Sequence, residues 1–319
     1  MNAITETLYQ RSMDVRALRY FEAVAEAGSY SRGADVLRIS QPAVSRQIRF
    51  LEEELGRPLF LRHSHGVSLT EAGRLLLERS HTILRQIDQA RLDVRQGQDG
   101  PAGEVTLAVP PAAGTLLIPE LTRRLTRVYP NVRLRVSAGF STYVHEWLVR
   151  GRVDLACLHD PTPQPGFVVT PLVREEVFLV GRPGSVPTDR KQLRISDLVG
   201  VKLILPARPN ASRRLLDHWL SREGIELNVL MEVDDHLVIR AMLRDGLGCS
   251  LLTKGAFAQD LPSGLLQAWR LRPAPFWNLM LMQTPVGQRQ PLSAAVADVL
   301  RDTVSALLLD RAWPGGSKS

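Results

Sequence analysis

The chain is predicted to be an α/β protein with a helical N-terminal block, one long connecting helix and a larger region of alternating strands and helices. Three observations predict this. Short helical stripes separated by tight breaks crowd residues 14–70. An unbroken helical period then runs for some two dozen residues. Beyond Gly103, apolar runs of strand length alternate with amphipathic segments, the pattern of α/β units with largely parallel sheets. At 319 residues, 44% hydrophobic and 23% charged, the chain can bury a core in each of two or three globular domains.

In the first block, Leu18, Phe21, Val24 and Ala25 form a helical stripe that Gly28 ends. Ser31 is placed to cap a second, short helix, Arg32 to Leu37, with Ala34 and Leu37 inward. After a turn at Arg38 and Ile39, Ser40 and Pro42 suit the start of a third helix. There Val44, Ile48, Leu51 and Leu55 fall at i, i+4, i+7 and i+11 as one buried stripe. Gly56-Arg57-Pro58 breaks it, and Leu59 to Leu69 reads as a hairpin wing around Ser64-His65-Gly66. Two helices, a turn, a third helix and a wing make a winged helix-turn-helix over 14–70, whose later helix enters a major groove.

The outer face of that third helix has the chemistry for the task. Gln41, Ser45 and Arg46 are side chains that read base edges, and Pro42 can touch a thymine methyl. Ser31, Arg32, Arg49 and Arg62 are expected to hold phosphates. The acids Glu52, Glu53 and Glu54 are kept to the far end. The net charge of +7 is compatible with a polyanionic partner without demanding one. The only lysines are Lys191, Lys202, Lys254 and Lys318, so phosphate contacts in the first hundred residues fall to arginine, amides and hydroxyls.

Thr70 and Glu71 open the long helix, expected over 71–96. Leu76, Ser80, Ile83, Ile87, Ala90 and Val94 are spaced 4, 3, 4, 3, 4, a coiled-coil seam. Leu76, Ile83, Ile87, Ala90 and Val94 are therefore assigned to dimerisation, with packing on the chain's own C-terminal region as the alternative. Residues 97–103 read as a flexible hinge.

From Glu104 onward, strands are expected at 105–109, 132–137, 155–158, 177–180, 202–205, 227–232, 249–252 and 279–282. Helices are expected at 115–128, 142–150, 212–223 and 236–245, with a closing amphipathic helix at 293–309 and a disordered tail from Pro314. Three strand-end loops, 110–115, 139–142 and 206–210, carry free donors suited to a small anion, or else cap helices.

Catalysis is not indicated. Cys157 and His159 share a strand face, but Cys157 lies in an apolar run and no acid, base and nucleophile converge. The two cysteines are read as reduced core residues, and Asp234-Asp235-His236 as a helix start rather than a metal site. No metal and no cofactor are expected. No signal-peptide core opens the chain and no run spans a bilayer, so the cytoplasm is the expected location, away from membranes.

The combination Leu18-Arg19-Tyr20-Phe21, Gly28-Ser29-Tyr30-Ser31, Ala34, Ser40-Gln41-Pro42-Ala43-Val44-Ser45, Leu51-Glu52, Leu55-Gly56, Leu59-Phe60, Arg62 and Leu69-Thr70-Glu71-Ala72-Gly73 resembles the LysR-type transcriptional regulators. Tyr129-Pro130-Asn131-Val132, Gly151-Arg152-Val153-Asp154-Leu155 and Gly246-Leu247-Gly248 resemble the effector-binding half of that family. Leu158-His159-Asp160-Pro161 and the stretch from Leu203 to Asn210 are similar to the branch that includes nitrogen-assimilation regulators.

The resemblance implies a two-lobed, periplasmic-binding-protein-like effector domain over 104–312. Lobe one would comprise 104–174 and 275–309, and lobe two 175–273. It also implies a homodimer or homotetramer on double-stranded DNA with a dyad-symmetric site, activating or repressing transcription, with RNA polymerase as a further partner. A small anion or carboxylate effector would sit in the cleft near Thr115, Ser141, Thr142, His159, Arg208 and Asn210. Family members place a hydroxyl directly after the prolines of the first loop. Here Ala112-Ala113-Gly114 stands there, so Ser141 and Thr142 fit capture better than Thr115. Two alternatives stay open: a regulator that needs no effector, and a small-molecule-binding protein or enzyme using the helical block to oligomerise.

Overall fold

The computed structural model describes residues 13–64, 66–95, 101–162, 164–208, 210–221 and 224–318. Hinge residues 97–100 and the wing residue His65 lie outside them. Two compact units divide near residue 97, residues 150–152 counting with the first.

The first unit holds α1 (Val15–Ala27), α2 (Tyr30–Leu37), α3 (Gln41–Leu55), a hairpin of β1 (Phe60–His63) and β2 (Gly66–Leu69), and α4 (Glu71–Arg95). Phe21, Val24, Ala34, Val44, Ile48, Leu51, Leu59 and Phe60 make its core. Two local readings are corrected. The second helix starts at Tyr30 and is capped by Ser29, whose hydroxyl accepts the Arg32 N–H; Ser31 is already inside the first turn. Leu55 is exposed, because the helix stops there and Gly56 turns the chain in the left-handed region, φ +64°. Thr70 caps α4 as expected, its hydroxyl accepting the Gly73 N–H at 2.9 Å.

The second unit contains β3 (Gly103–Val109), α5 (Pro111–Val128), β4 (Val132–Ala138), α6 (Ser141–Val149), β5 (Leu155–His159), β6 (Val168–Gly181), β7 (Gln192–Arg194), β8 (Leu203–Leu205), α7 (Ala211–Ser221), β9 (Val229–Glu232), α8 (His236–Arg244), β10 (Cys249–Thr253), β11 (Gln267–Arg272), β12 (Phe276–Gln283), α9 (Pro285–Arg289), α10 (Pro291–Leu309) and β13 (Gly316–Ser317). Strands β4-β3-β5 and β10-β8-β9 are parallel groups, as the βαβ reading requires. The sheet as a whole is mixed, because β12 runs antiparallel to β5 and β6, and β10 antiparallel to β6.

Strand β6 is the key connection. Its first part, through Glu176, pairs with β12; from Val177 to Gly181 it pairs with β10 and, from Phe178, with β11. One strand thus belongs to both halves of the unit, each with its own core. Leu107, Leu117, Leu155 and Leu300 lie in one core, and Leu179, Leu203, Leu251 and Trp269 in the other.

Three expectations fail here for identifiable reasons. Helix α5 starts at Pro111 rather than Thr115, since proline suits a first turn and two alanines follow. Strands β7 and β11 were not expected, being short and mixed in composition. The tail is ordered: Gly316 and Ser317 pair with Glu175 and Arg174, and Trp313 is buried. A single indole outweighs the disorder signals of the prolines and glycines around it.

Candidate nucleic-acid interface and effector cleft

In the first unit, the stripe of α3 buries Val44, Ile48 and Leu51 and turns Gln41, Pro42, Arg46 and Arg49 outward, with Ser45 half-buried. The Ser40 side chain makes no capping bond. Arg46 is exposed and has no side-chain partner among the described residues. The other arginines differ. Arg32 donates to the Ala27 carbonyl at 2.7 Å, bracing the end of α1. Arg49 stands 3.6 Å from Glu53. Arg62, on the wing, lies over the Tyr30 ring at 5.3 Å. Burial, then the Glu52 charge, push the Tyr30 phenol up against the pull of Arg62.

On α4 the heptad stripe divides. Leu76 packs against the unit's own core together with Leu77, and Ser80 and Leu84 are buried. Ile83, Ala90 and Val94 are exposed, Val94 to 86%, and Ile87 is half-buried. The spacing did not reveal a cross-helix contact: His81 lies 3.1 Å from Glu22 and 3.8 Å from Glu26, and burial pushes the Glu22 carboxyl up.

In the second unit, the candidate effector residues separate by what they already touch. Ser141 is buried at the start of α6 and accepts the His159 backbone N–H at 3.3 Å. These two residues are therefore brought together. Thr142 is exposed beside them. Thr115 is exposed, and its hydroxyl is spent on the Ala112 carbonyl at 2.8 Å. Arg208 is paired with Asp217 at 2.7 Å. Asn210 is buried and caps α7, accepting from Ser212 N–H at 3.0 Å and from its hydroxyl at 2.8 Å. Spacing had left capping and ligand contact even at these loops, and three of the residues are engaged locally.

Sequence reading missed the partners of His159. Its Nε2 lies 2.8 Å from Glu175, which is 2% exposed, and the other oxygen of Glu175 accepts the Trp313 indole N–H at 3.0 Å. Trp277 lies against the imidazole, ring centroids 5.7 Å apart. The next residue, Asp160, has φ +39° and accepts both the N–H and the side-chain amide of Asn278.

The thiols are inert: burial pushes Cys157 up to about 12 and Cys249 up to about 11. Asp235 caps α8 and Asp234 accepts the Ala207 N–H, so both acids of that junction have backbone partners.

A winged helix-turn-helix in one unit and a fold of two halves sharing strand β6 in the other define a DNA-binding regulator that carries its own sensor. Residues 15–74 match the family model of the bacterial regulatory helix-turn-helix protein, lysR family, and residues 98–305 match that of the LysR substrate binding domain. The chain belongs to the LysR family of transcriptional regulators. It is 31% identical to the HTH-type transcriptional regulator BbuR of Bordetella bronchiseptica, over 95% of this chain and 94% of that one. It is 30% identical to the nitrogen assimilation regulatory protein nac of Klebsiella aerogenes, over 92% and 96%. Among solved structures, full-length CbnR in complex with its target DNA has the same fold, with a TM-score of 0.71 at 24% identity, over 91% of this chain and all of that one. The chain is accordingly a transcriptional regulator and not an enzyme, with a helix-turn-helix for DNA and a domain for an effector. No helix among the described residues is long and apolar enough to cross a membrane.

Proposed function

We propose that the protein binds a dyad-symmetric DNA site as a dimer or tetramer and changes its occupancy when a small carboxylate enters the cleft of the second unit. Gln41, Ser45 and Arg46 read base edges, with Pro42 against a thymine methyl. Ser31, Arg49 and Arg62 hold phosphates, and Arg32 does so while braced by Ala27. The observation that carries this reading is Arg46, an exposed arginine in the middle of the helix-three face with no side-chain partner among the described residues. Two copies join along Ile83, Ile87, Ala90 and Val94, the part of the stripe not covered within the unit. Two helix-turn-helix units related by a two-fold axis call for two half-sites. The effector is held by Ser141, Thr142 and His159, with Arg208, Asn210 and Thr115 at the margins. The protein works beside DNA in the cytoplasm, with RNA polymerase as the partner it recruits or excludes.

Gel shift with fragmented genomic DNA tests the first part. A sequence-preferring band that weakens steeply with salt is expected. Binding without preference, or none, would remove the reading.

A further inference from the structure

The cluster around His159 carries more than its place among the proposed effector residues. His159 sits at the end of β5, where the backbone N–H is tied to the Ser141 hydroxyl oxygen. Glu175 is on β6, the strand shared by both halves, two residues before pairing with β10 begins at Val177. Trp313 comes from the tail, 138 residues away. Both Glu175 oxygens are occupied, one by the imidazole Nε2 and one by the indole N–H. A carboxylate this enclosed needs both donors. It therefore requires the His159 proton on Nε2. The second ring nitrogen, Nδ1, has no protein partner among the described residues, although the residue is only 7% exposed.

We infer that Glu175 and Trp313 are positioning residues that lock His159 in the Nε2–H form and leave Nδ1 as the ring nitrogen that can accept from a ligand. The ligand is then a carboxylic acid with a hydrogen donor on the adjacent carbon, a 2-hydroxy or 2-amino acid. Its carboxylate sits at the Ser141 hydroxyl and the start of α6, where helix amides favour an anion. Its hydroxyl or ammonium donates to Nδ1. This rests on the proposed effector reading for the ligand, but the lock on His159 stands independently of it.

Two measurements on the full chain separate the two parts. Solid-state nitrogen NMR of protein with isotope-labelled histidine identifies the His159 signals by their loss in His159→Asn. The expected wild-type pattern is a protonated, hydrogen-bonded Nε2. Glu175→Gln offers one acceptor oxygen to two donors and should convert the single form to a mixture, while Trp313→Phe leaves one Glu175 oxygen without its donor and should move the Nε2 signal. A protonated Nδ1 in the wild type, whether Nε2 is bare or also protonated, or signals unmoved by either variant, overturns the lock. Trp313→Phe keeps the test decisive if Glu175→Gln does not fold.

The second measurement is calorimetric titration with matched acids: lactate against propionate, malate against succinate, and glutamate against glutarate. At least one donor-bearing acid should bind at least about tenfold tighter than its partner, because an acceptor built into a site rejects analogues lacking the donor. The preference should vanish in His159→Phe, which has no acceptor at that position, and shrink in Trp313→Phe. Equal affinities within every pair, or no binding by any of the six, overturn the ligand class. A lock seen by NMR with no ligand bound would leave the positioning role standing and remove the effector reading.

Discussion

One carboxylate oxygen of Glu52 accepts the backbone N–H of Leu59 at 2.7 Å and that of Phe60 at 3.3 Å. Glu52 is on α3 and Leu59 leads into the wing, so this contact sets the wing against the helix that presents Gln41 and Arg46. Glu52→Ala should leave two backbone donors without their partner and cost about 1–3 kcal/mol. Denaturant unfolding reads the loss. DNA affinity should fall alike on operator and random sequence, since no base contact is removed.

Substitutions at Arg46 and Arg62 test the proposed division between readout and positioning. Arg46→Ala should cost about 1–3 kcal/mol on the operator and relax base preference, while Arg62→Ala weakens all sequences together. Competition binding against random DNA at fixed salt distinguishes them. Equal loss on operator and random DNA for Arg46→Ala would show that Arg46 holds phosphate.

A Cβ at Gly73 would fall inside contact distance of the Leu59 carbonyl oxygen, the one that accepts the Thr70 N–H. Gly73→Ala should destabilise the first unit by about 1–3 kcal/mol through overpacking against rigid backbone. Thermal unfolding of the full chain should show an early transition with DNA binding lost over the same range.

The divided stripe of α4 makes opposite predictions for two of its members. Val94→Asp should shift the assembly toward smaller species in light scattering while leaving the helical signal intact. Leu76→Asp should unfold the first unit instead, since Leu76 packs on its core. A Val94→Asp protein of unchanged mass would exclude the outer half of the seam from the dimer contact.

Asp260 is 2% exposed and bonded to both Arg240 and Arg244. Burial pushes its carboxyl up, but the two guanidinium groups outweigh burial and hold it below its usual 3.8. A depressed folded-state value means stability that is full above the unfolded pKa and lost as pH falls through the folded one. Melting temperature should therefore decline below about pH 4. Asp260→Asn should flatten that decline and cost about 2–3 kcal/mol at neutral pH, less than a wholly buried pair because Arg244 is partly in water.

Much of the first unit was legible because its signals are local. The Val44, Ile48, Leu51 stripe selects which side of α3 is buried, and Thr70 caps within three residues of its partner. Errors there are of one or two residues, such as Ser31 for Ser29, where two serines compete to start one helix. The second unit was legible in its order of strands and helices but not in its site. Arg208, Asn210 and Thr115 are the polar types an anion site uses, yet each is engaged within ten residues of itself, and composition does not separate capping from binding.

By itself, then, the order of residues determined the helix-turn-helix, the outward row of Gln41 and Arg46, the long stripe of α4 and the α/β alternation, because periodicity and capping act over a few residues. Tertiary structure alone decided that Leu76 is spent inward while Val94 is not, and that Glu175 and Trp313 meet His159. Those outcomes depend on which distant surfaces close on one another, and a buried carboxylate takes its partners from wherever the fold delivers a donor.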